Sequence, residues 1–132
     1  MINEDCDLER VLHLEDDGDI REIARLSLET IGGYDLLQCA CGAEALKEAE
    51  AFAPDILLLD MMMPDLNGSE VLAKLRKIEK FAKTPAIFMT AKAEGTVAGA
   101  MAELGVIGLV EKPFDPVTLP ERMRSMIAAA QV

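Results

Sequence analysis

Histidine occurs once and cysteine three times in these 132 residues, and no apolar run approaches the roughly 20 residues of a membrane span. An odd set of thiols, Cys6, Cys39 and Cys41, argues against a disulfide framework. Cys39-Ala40-Cys41 has no second pair to complete a metal centre and His13 is the lone imidazole, so reduced thiols are the expected state. Met1 to Arg10 is acidic and lacks the charged and apolar regions of a secretory leader, which predicts a cytoplasmic protein. Basic residues are scarce, 13 against 24 acidic ones, giving a formal charge of −11. Such a surface repels nucleic acid and anionic membrane and favours a partner with a basic patch. Linkers, repeats and low-complexity tracts are absent, so the length fits one domain. A hydrophobic share of 51% excludes wholesale disorder.

What is present alternates between strand and helix patterns. Val11-Leu12-His13-Leu14 is a short strand. Ile20, Ile23, Ala24, Leu28 and Ile31 recur at helical spacing, with either Asp19 and Glu22 as a capping box or Asp17 as the cap, and Gly32-Gly33 as the stop. Tyr34 to Ala40 reads as a second strand, and Ala45, Leu46, Ala49 and Phe52 as a second helix. Ile56 to Leu59 is a continuous apolar run, the mark of a strand buried on both faces. Asn67 and Glu70 form a capping box before Val71, Leu72, Leu75 and Ile78. Ala86 to Thr90 and Ile107 to Val110 are further strands. They are separated by an alanine-rich helix from about Glu94 to Leu104 and followed by a last helix with Leu119, Met123, Met126 and Ile127. Five strand–helix units imply a parallel sheet with right-handed crossovers and helices on both faces.

The chemistry collects at strand ends. Strand one ends in Glu15-Asp16-Asp17, strand three in Asp60, strand four in Thr90-Ala91-Lys92, and strand five runs into Lys112-Pro113-Phe114. In a parallel sheet these ends share one edge, where open α/β folds bind ligands. Three converging carboxylates repel one another unless a cation joins them, and an all-oxygen site with few protein ligands suits Mg²⁺. Asp60 can then act as a nucleophile, with Lys112 and Thr90 supplying charge and a hydroxyl to an incoming phosphoryl group.

In these stretches, together with Pro54-Asp55 before strand three, Met61-Met62-Met63-Pro64 after it, Asn67-Gly68 and Met89-Thr90-Ala91, the chain resembles the receiver domain of two-component response regulators over about residues 10–130. The resemblance implies a flavodoxin-like fold, a five-stranded parallel sheet of order 2-1-3-4-5. It leaves residues 1–9 as a lead and 131–132 as an end. It implies that Asp60 accepts a phosphoryl group from a histidine kinase or a histidine phosphotransfer protein. Glu15, Asp16, Asp60 and the backbone carbonyl of Met62 would hold Mg²⁺, and Thr90 and Lys112 would contact the phosphoryl oxygens. Asp17, Ala91 and Pro113 would surround that set, with a cis Lys112–Pro113 bond. The protein would be a switch rather than an enzyme beyond its own phosphorylation and dephosphorylation, and would act on a downstream protein target. A weak or phosphorylation-dependent homodimer also belongs to that expectation.

Three features depart from the family pattern. Glu15 stands where aspartate is usual, Leu109 where many receivers carry an aromatic switch residue, and Val106-Ile107 is bulkier than the small and polar residues common there. Met61 to Met63 reads as core filler or adaptable surface, His13 as structural, Lys92 as a solvated lysine, and Glu111 and Asp115 as surface charges. An aspartate phosphohydrolase would carry a second aspartate where Met62 stands, and a flavodoxin-like cofactor binder a Gly- or Ser/Thr-rich loop after strand one. The nearer rival is a receiver-shaped interaction module that phosphorylation does not control. The acidic lead and alanine-rich finish predict a stand-alone chain.

Overall fold

The computed structural model describes residues 9–63, 66–91 and 102–130. Strands β1 (Arg10–Leu14), β2 (Asp35–Cys39), β3 (Ile56–Asp60), β4 (Ala86–Thr90) and β5 (Val106–Glu111) form one parallel sheet of order β2-β1-β3-β4-β5. The helices are α1 (Gly18–Arg25, continued by a π-wound segment Leu26–Ile31), α2 (Gly42–Phe52), α3 (Gly68–Arg76) and α4 (Leu119–Ala130). Of the alanine-rich helix expected between β4 and β5, only Ala102 to Leu104 fall among the described residues, and they are helical. Cys6 and Lys92 lie outside them.

Alternation of side chains along each strand divides the core in two. Leu57 and Leu59 of β3 join Leu12, Leu14 and Phe88 beneath α2 and α3, where Ala45, Ala49, Leu72 and Leu75 meet them. Ile56 and Leu58 point the other way, to Val11, Ile87 and Val110, under Leu28, Leu119 and Met123. All five residues of β3 are buried, which explains the unbroken apolar run. Each fully buried leucine contributes about 1.5–3 kcal/mol.

Two cap assignments resolve. At α1 the cap is Asp17, whose Oδ1 accepts from the backbone N–H of Asp19 (2.8 Å) and Ile20 (3.2 Å). The alternative box of Asp19 with Glu22 does not form, because the Glu22 carboxylate turns to Arg25 at 3.4 Å. At α3 the capping box is present: Asn67 Oδ1 accepts from Glu70 N and Glu70 Oε1 accepts from Asn67 N.

The apolar stripe of α1 is where pattern and structure differ. Ala24 and Leu28 are buried, but Ile23 is 45% and Ile31 51% exposed. After Arg25 the helix widens, so that Gly32 N–H donates to Ser27 O at 2.9 Å, five residues back. In an unbroken α-helix Ile31 would share a face with Ala24 and Leu28; the extra residue in the turn rotates it outward. Two contacts hold that segment: Ser27 Oγ donates to Pro116 O at 2.6 Å, and Arg124 donates to Gly32 O while stacking on Tyr34.

Candidate phosphoacceptor and metal site

The sheet order reverses between β1 and β3, so the crevice at their C-terminal ends is the topological switch point. Glu15 follows β1 and Asp60 closes β3; both side chains are almost wholly buried. Asp16 is exposed at the rim. One carboxylate oxygen from each of Glu15, Asp16 and Asp60 can be chosen so that all three lie within 4.8 Å of one another. Lys112 reaches in from the end of β5, with Nζ 3.1 Å from Glu15 Oε1 and 3.3 Å from Asp60 Oδ2. Thr90, at the end of β4, is buried, and its carbonyl accepts the Lys112 backbone N–H at 2.7 Å. The Lys112–Pro113 peptide bond is cis.

The hydrogen bonds divide the carboxylate oxygens unequally. Glu15 Oε1 accepts from Lys112 and Oε2 from the Asp17 backbone N–H at 3.2 Å. Asp60 Oδ1 accepts from the Met62 backbone N–H at 3.0 Å. Asp60 Oδ2 accepts no hydrogen bond despite its burial, although Lys112 is within ion-pair distance. An orphaned buried carboxylate oxygen is costly unless another group takes it up. The donor set, three carboxylates with one oxygen each within 4.8 Å of one another, fits a hard divalent cation with oxygen ligands.

Electrostatics agree with a cation-seeking site. Burial first, and the neighbouring Asp60 charge second, push the Glu15 carboxyl up to about 7, against the Lys112 and Asp17 hydrogen bonds. Burial alone lowers the Lys112 ammonium, but its hydrogen bond to Glu15 and the Asp60 charge outweigh that and raise it. His13 is wholly buried, and desolvation with the Lys112 charge drives it down to about 3, so it is neutral. Its Nδ1 lies 3.1 Å from Gln38 Nε2, which also donates to Arg21 O. Arg21 in turn donates to the Glu15 carbonyl at 2.8 Å. His13 is thus a structural support of the loop after β1.

Other residues shape the crevice. A Cβ at Gly68 would stand 2.5 Å from the Asp60 carbonyl oxygen, so only glycine lets α3 start this close to β3. Met62 is an exposed apolar side chain beside Asp60, at 71%. Leu109 is half-buried against the core under α2 and α3. Cys39 is buried and Cys41, which caps α2 without a side-chain hydrogen bond, is half-buried; both thiols are free. Two contacts were not legible in the sequence: the direct Glu15–Lys112 pair, whose partners lie 97 positions apart, and the Arg21–Gln38–His13 support, assembled across β1, α1 and β2.

An open parallel sheet with a buried carboxylate, an acidic pair, a lysine and a hydroxyl at its switch point defines an α/β module with its polar site at the strand ends. The response regulator receiver domain model matches residues 11–124, and the chain belongs to that family. The alkaline phosphatase synthesis transcriptional regulatory protein PhoP of Bacillus subtilis (strain 168) is 32% identical over 93% of this chain and 50% of its own length. The probable transcriptional regulator ycf27 of Porphyridium aerugineum is 36% identical over 90% of this chain and 48% of its own. The chain therefore spans about half the length of the curated relatives it matches. Among solved structures, the chemotaxis protein CheY4 of Vibrio cholerae superposes with TM-score 0.85 at 27% identity, covering 90% of this chain and 98% of that one. A CheY-like receiver domain protein from Methanospirillum hungatei JF-1 gives 0.82 at 26%, covering 94% and 97%. The fold is CheY-like and flavodoxin-like, as the strand order requires. Among the described residues, no helix is long and apolar enough to cross a membrane.

Proposed function

We propose that this receiver is a phosphorylation-controlled cytoplasmic switch in which Asp60 accepts a phosphoryl group from a histidine kinase or a histidine phosphotransfer protein. The observation that carries this reading is Asp60 itself: a buried strand-end carboxylate whose Oδ2 is ion-paired with Lys112 at 3.3 Å. Asp60 Oδ2 attacks phosphorus, the P–N bond to the donor imidazole breaks, and its electron pair leaves with the imidazole nitrogen. Lys112 and the Thr90 hydroxyl meet the phosphoryl oxygens as charge shifts onto them. Asp16, Asp60 and the Met62 carbonyl, with Glu15, would hold Mg²⁺, which supplies charge neutralisation to both carboxylate and phosphoryl group when bound.

A docking place for the donor lies beside the site. Ile20 and Ile23 of α1 face Ala91, Lys112, Pro113 and Phe114 across a mainly apolar cavity of about 390 Å³. Exposed Ile23 and Leu26 extend its apolar wall along α1. A helix carrying the donor histidine and seated there delivers its phosphoryl group at Lys112. Output passes to a protein target.

Incubation with Mg²⁺ and acetyl phosphate, followed by intact mass measurement, tests the assignment. One phosphoryl group is expected on the wild type and none on Asp60→Asn. Equal labelling of that variant would sink the assignment, and an unlabelled wild type would favour an interaction module outside phosphoryl control.

A further inference from the structure

At the edge of the sheet opposite the acidic site, the charge of the chain reverses. Residues 74–83 carry five of the 13 basic side chains and one of the 24 acidic ones, a local charge of +4; the other 122 residues carry 8 against 23, or −15. Lys74, Lys77, Lys80 and Lys83 recur every third residue and are all exposed. Among the described residues, none of the four has a carboxylate within ion-pair distance. The Lys80 ammonium instead donates to Glu50 O at 3.2 Å and lies 5.7 Å from the centre of the Phe81 ring. Lys80 and Lys83 border an open cavity of about 670 Å³ between the approaches to β3 and β4, walled by Pro54, Phe81 and Pro85. Two carboxylates also border it. Asp55 Oδ2 is already taken by the backbone N–H groups of Glu9 and Arg10, at 3.1 and 3.0 Å, which leaves Glu79 facing two lysines. Arg76 holds the rim in place by donating to Phe81 O and Thr84 O at 2.8 and 2.7 Å.

We propose that this cavity and its lysines form a docking surface for an acidic segment of a partner protein, with carboxylates on Lys80 and Lys83 and one apolar side chain against Pro54, Phe81 and Pro85. Charge decides the class of partner. The −15 carried elsewhere repels an acidic partner in any other orientation, so the +4 segment steers it to this edge. Lys74 and Lys77, neighbours at the end of α3, extend the attracting field beyond the cavity. The same negative excess weighs against a nucleic acid or an anionic bilayer, whose dense charge would extend past the lysines onto the acidic surface. A peptide segment sets a few carboxylates on two ammonium groups and brings an apolar side chain as well. Because Arg76 fixes the rim, little ordering is required on binding. The cavity lies at the N-terminal ends of β3 and β4, so its occupant leaves the carboxylates at the opposite ends uncovered.

Titration of the ¹⁵N-labelled full chain with a short synthetic peptide of aspartate and glutamate around one central leucine tests this. Amide shifts should concentrate at Ala53, Asp55 and Lys80 to Thr84, and binding should weaken as salt is added. Lys80→Glu combined with Lys83→Glu should weaken binding more than about tenfold, and Lys74→Glu with Lys77→Glu only about threefold, since the latter pair acts through the field alone. Replacing the leucine of the peptide by serine should cost about tenfold, the worth of one buried apolar side chain. Unchanged strand amide shifts in both double variants will show that the fold is intact, and acetyl phosphate should label them as it labels the wild type. An absence of shifts around the cavity, equal affinity of the two double variants, or equal binding of the leucine and serine peptides overturns the proposal. So does tighter binding of duplex DNA or of phosphatidylglycerol vesicles than of the peptide, which would make the lysines a general polyanion surface.

Discussion

Single residues set the pH response of this fold, and two of them pull in opposite directions. Glu15 is raised from an ordinary 4.5 to about 7 by burial and by Asp60. The folded state therefore binds its proton more tightly than the unfolded chain. Its stabilising contribution is present below pH 4.5 and is lost as pH rises to about 7. His13 is lowered from 6.5 to about 3, so its contribution is present above pH 6.5 and is lost as pH falls toward 3. Between about pH 4.5 and 6.5 the two offset each other. Above that only the Glu15 loss continues, to about 7. In EDTA, Glu15→Gln should therefore gain stability relative to the wild type between pH 5 and pH 8, by urea midpoint, and saturating Mg²⁺ should shrink the gain. A difference independent of both pH and Mg²⁺ would mean that Glu15 does not carry this titration. The position of the site was readable in advance because each of its residues ends a strand or follows one. The pairing of Glu15 with Lys112 was not, because its partners lie 97 positions apart in the chain.

At the scale of elements, periodicity located every described strand to within about a residue of its ends, as expected where side chains alternate between two buried faces. It failed within α1, where the tertiary bond from Ser27 to Pro116 and the close seat of Gly32 against Pro120 accompany a π turn that no local spacing announces. A Cβ at Gly32 would lie 2.9 Å from Leu28 O and 3.0 Å from Pro120 Cβ, so glycine is required there. Ser27→Ala should lower unfolding stability by about 1–3 kcal/mol by removing the hydroxyl partner of a part-buried carbonyl. A change below half a kcal/mol (~0.5) would show that water replaces the hydroxyl. Arg76 is a second element-level device that the sequence did not reveal. From the end of α3 it donates to the carbonyls of Phe81, Thr84, Leu104 and Gly105, joining the 3₁₀ turn Glu79–Phe81, the approach to β4 and the start of β5. It has no carboxylate among these partners, so charge-pattern reasoning passes it over. Arg76→Ala should cost about 1.5–3 kcal/mol in urea unfolding, and Arg76→Lys should recover only part, since a single ammonium cannot reproduce the fork.

Across the whole molecule, phosphorylation of Asp60 should act first on the β4 and β5 ends and then on the face they carry. A phosphoryl group adds roughly one negative charge and new acceptor oxygens beside Thr90 and Lys112. Those two residues are already joined, Lys112 N–H to Thr90 O at 2.7 Å, so a pull on one moves the other. From Thr90 the chain runs into residues 92–101, whose composition is small and alanine-rich. At the far end of that stretch Arg76 pins Leu104 O and Gly105 O. The disturbance should therefore be largest just after Thr90 and fade at Gly105. Leu109 has no ring to swing inward and is half-buried against the core, so β5 itself should respond less than in receivers with an aromatic there. Hydrogen exchange with and without beryllofluoride should show altered protection between Ala91 and Glu103, with little change from Gly105 to Val110. In Arg76→Ala the altered region should spread through Gly108. Changes confined to the residues that touch the phosphoryl mimic, with Ala93 to Gly108 untouched, would rule out transmission along this face. Spread past Gly105 already in the wild type would show that Arg76 is no boundary.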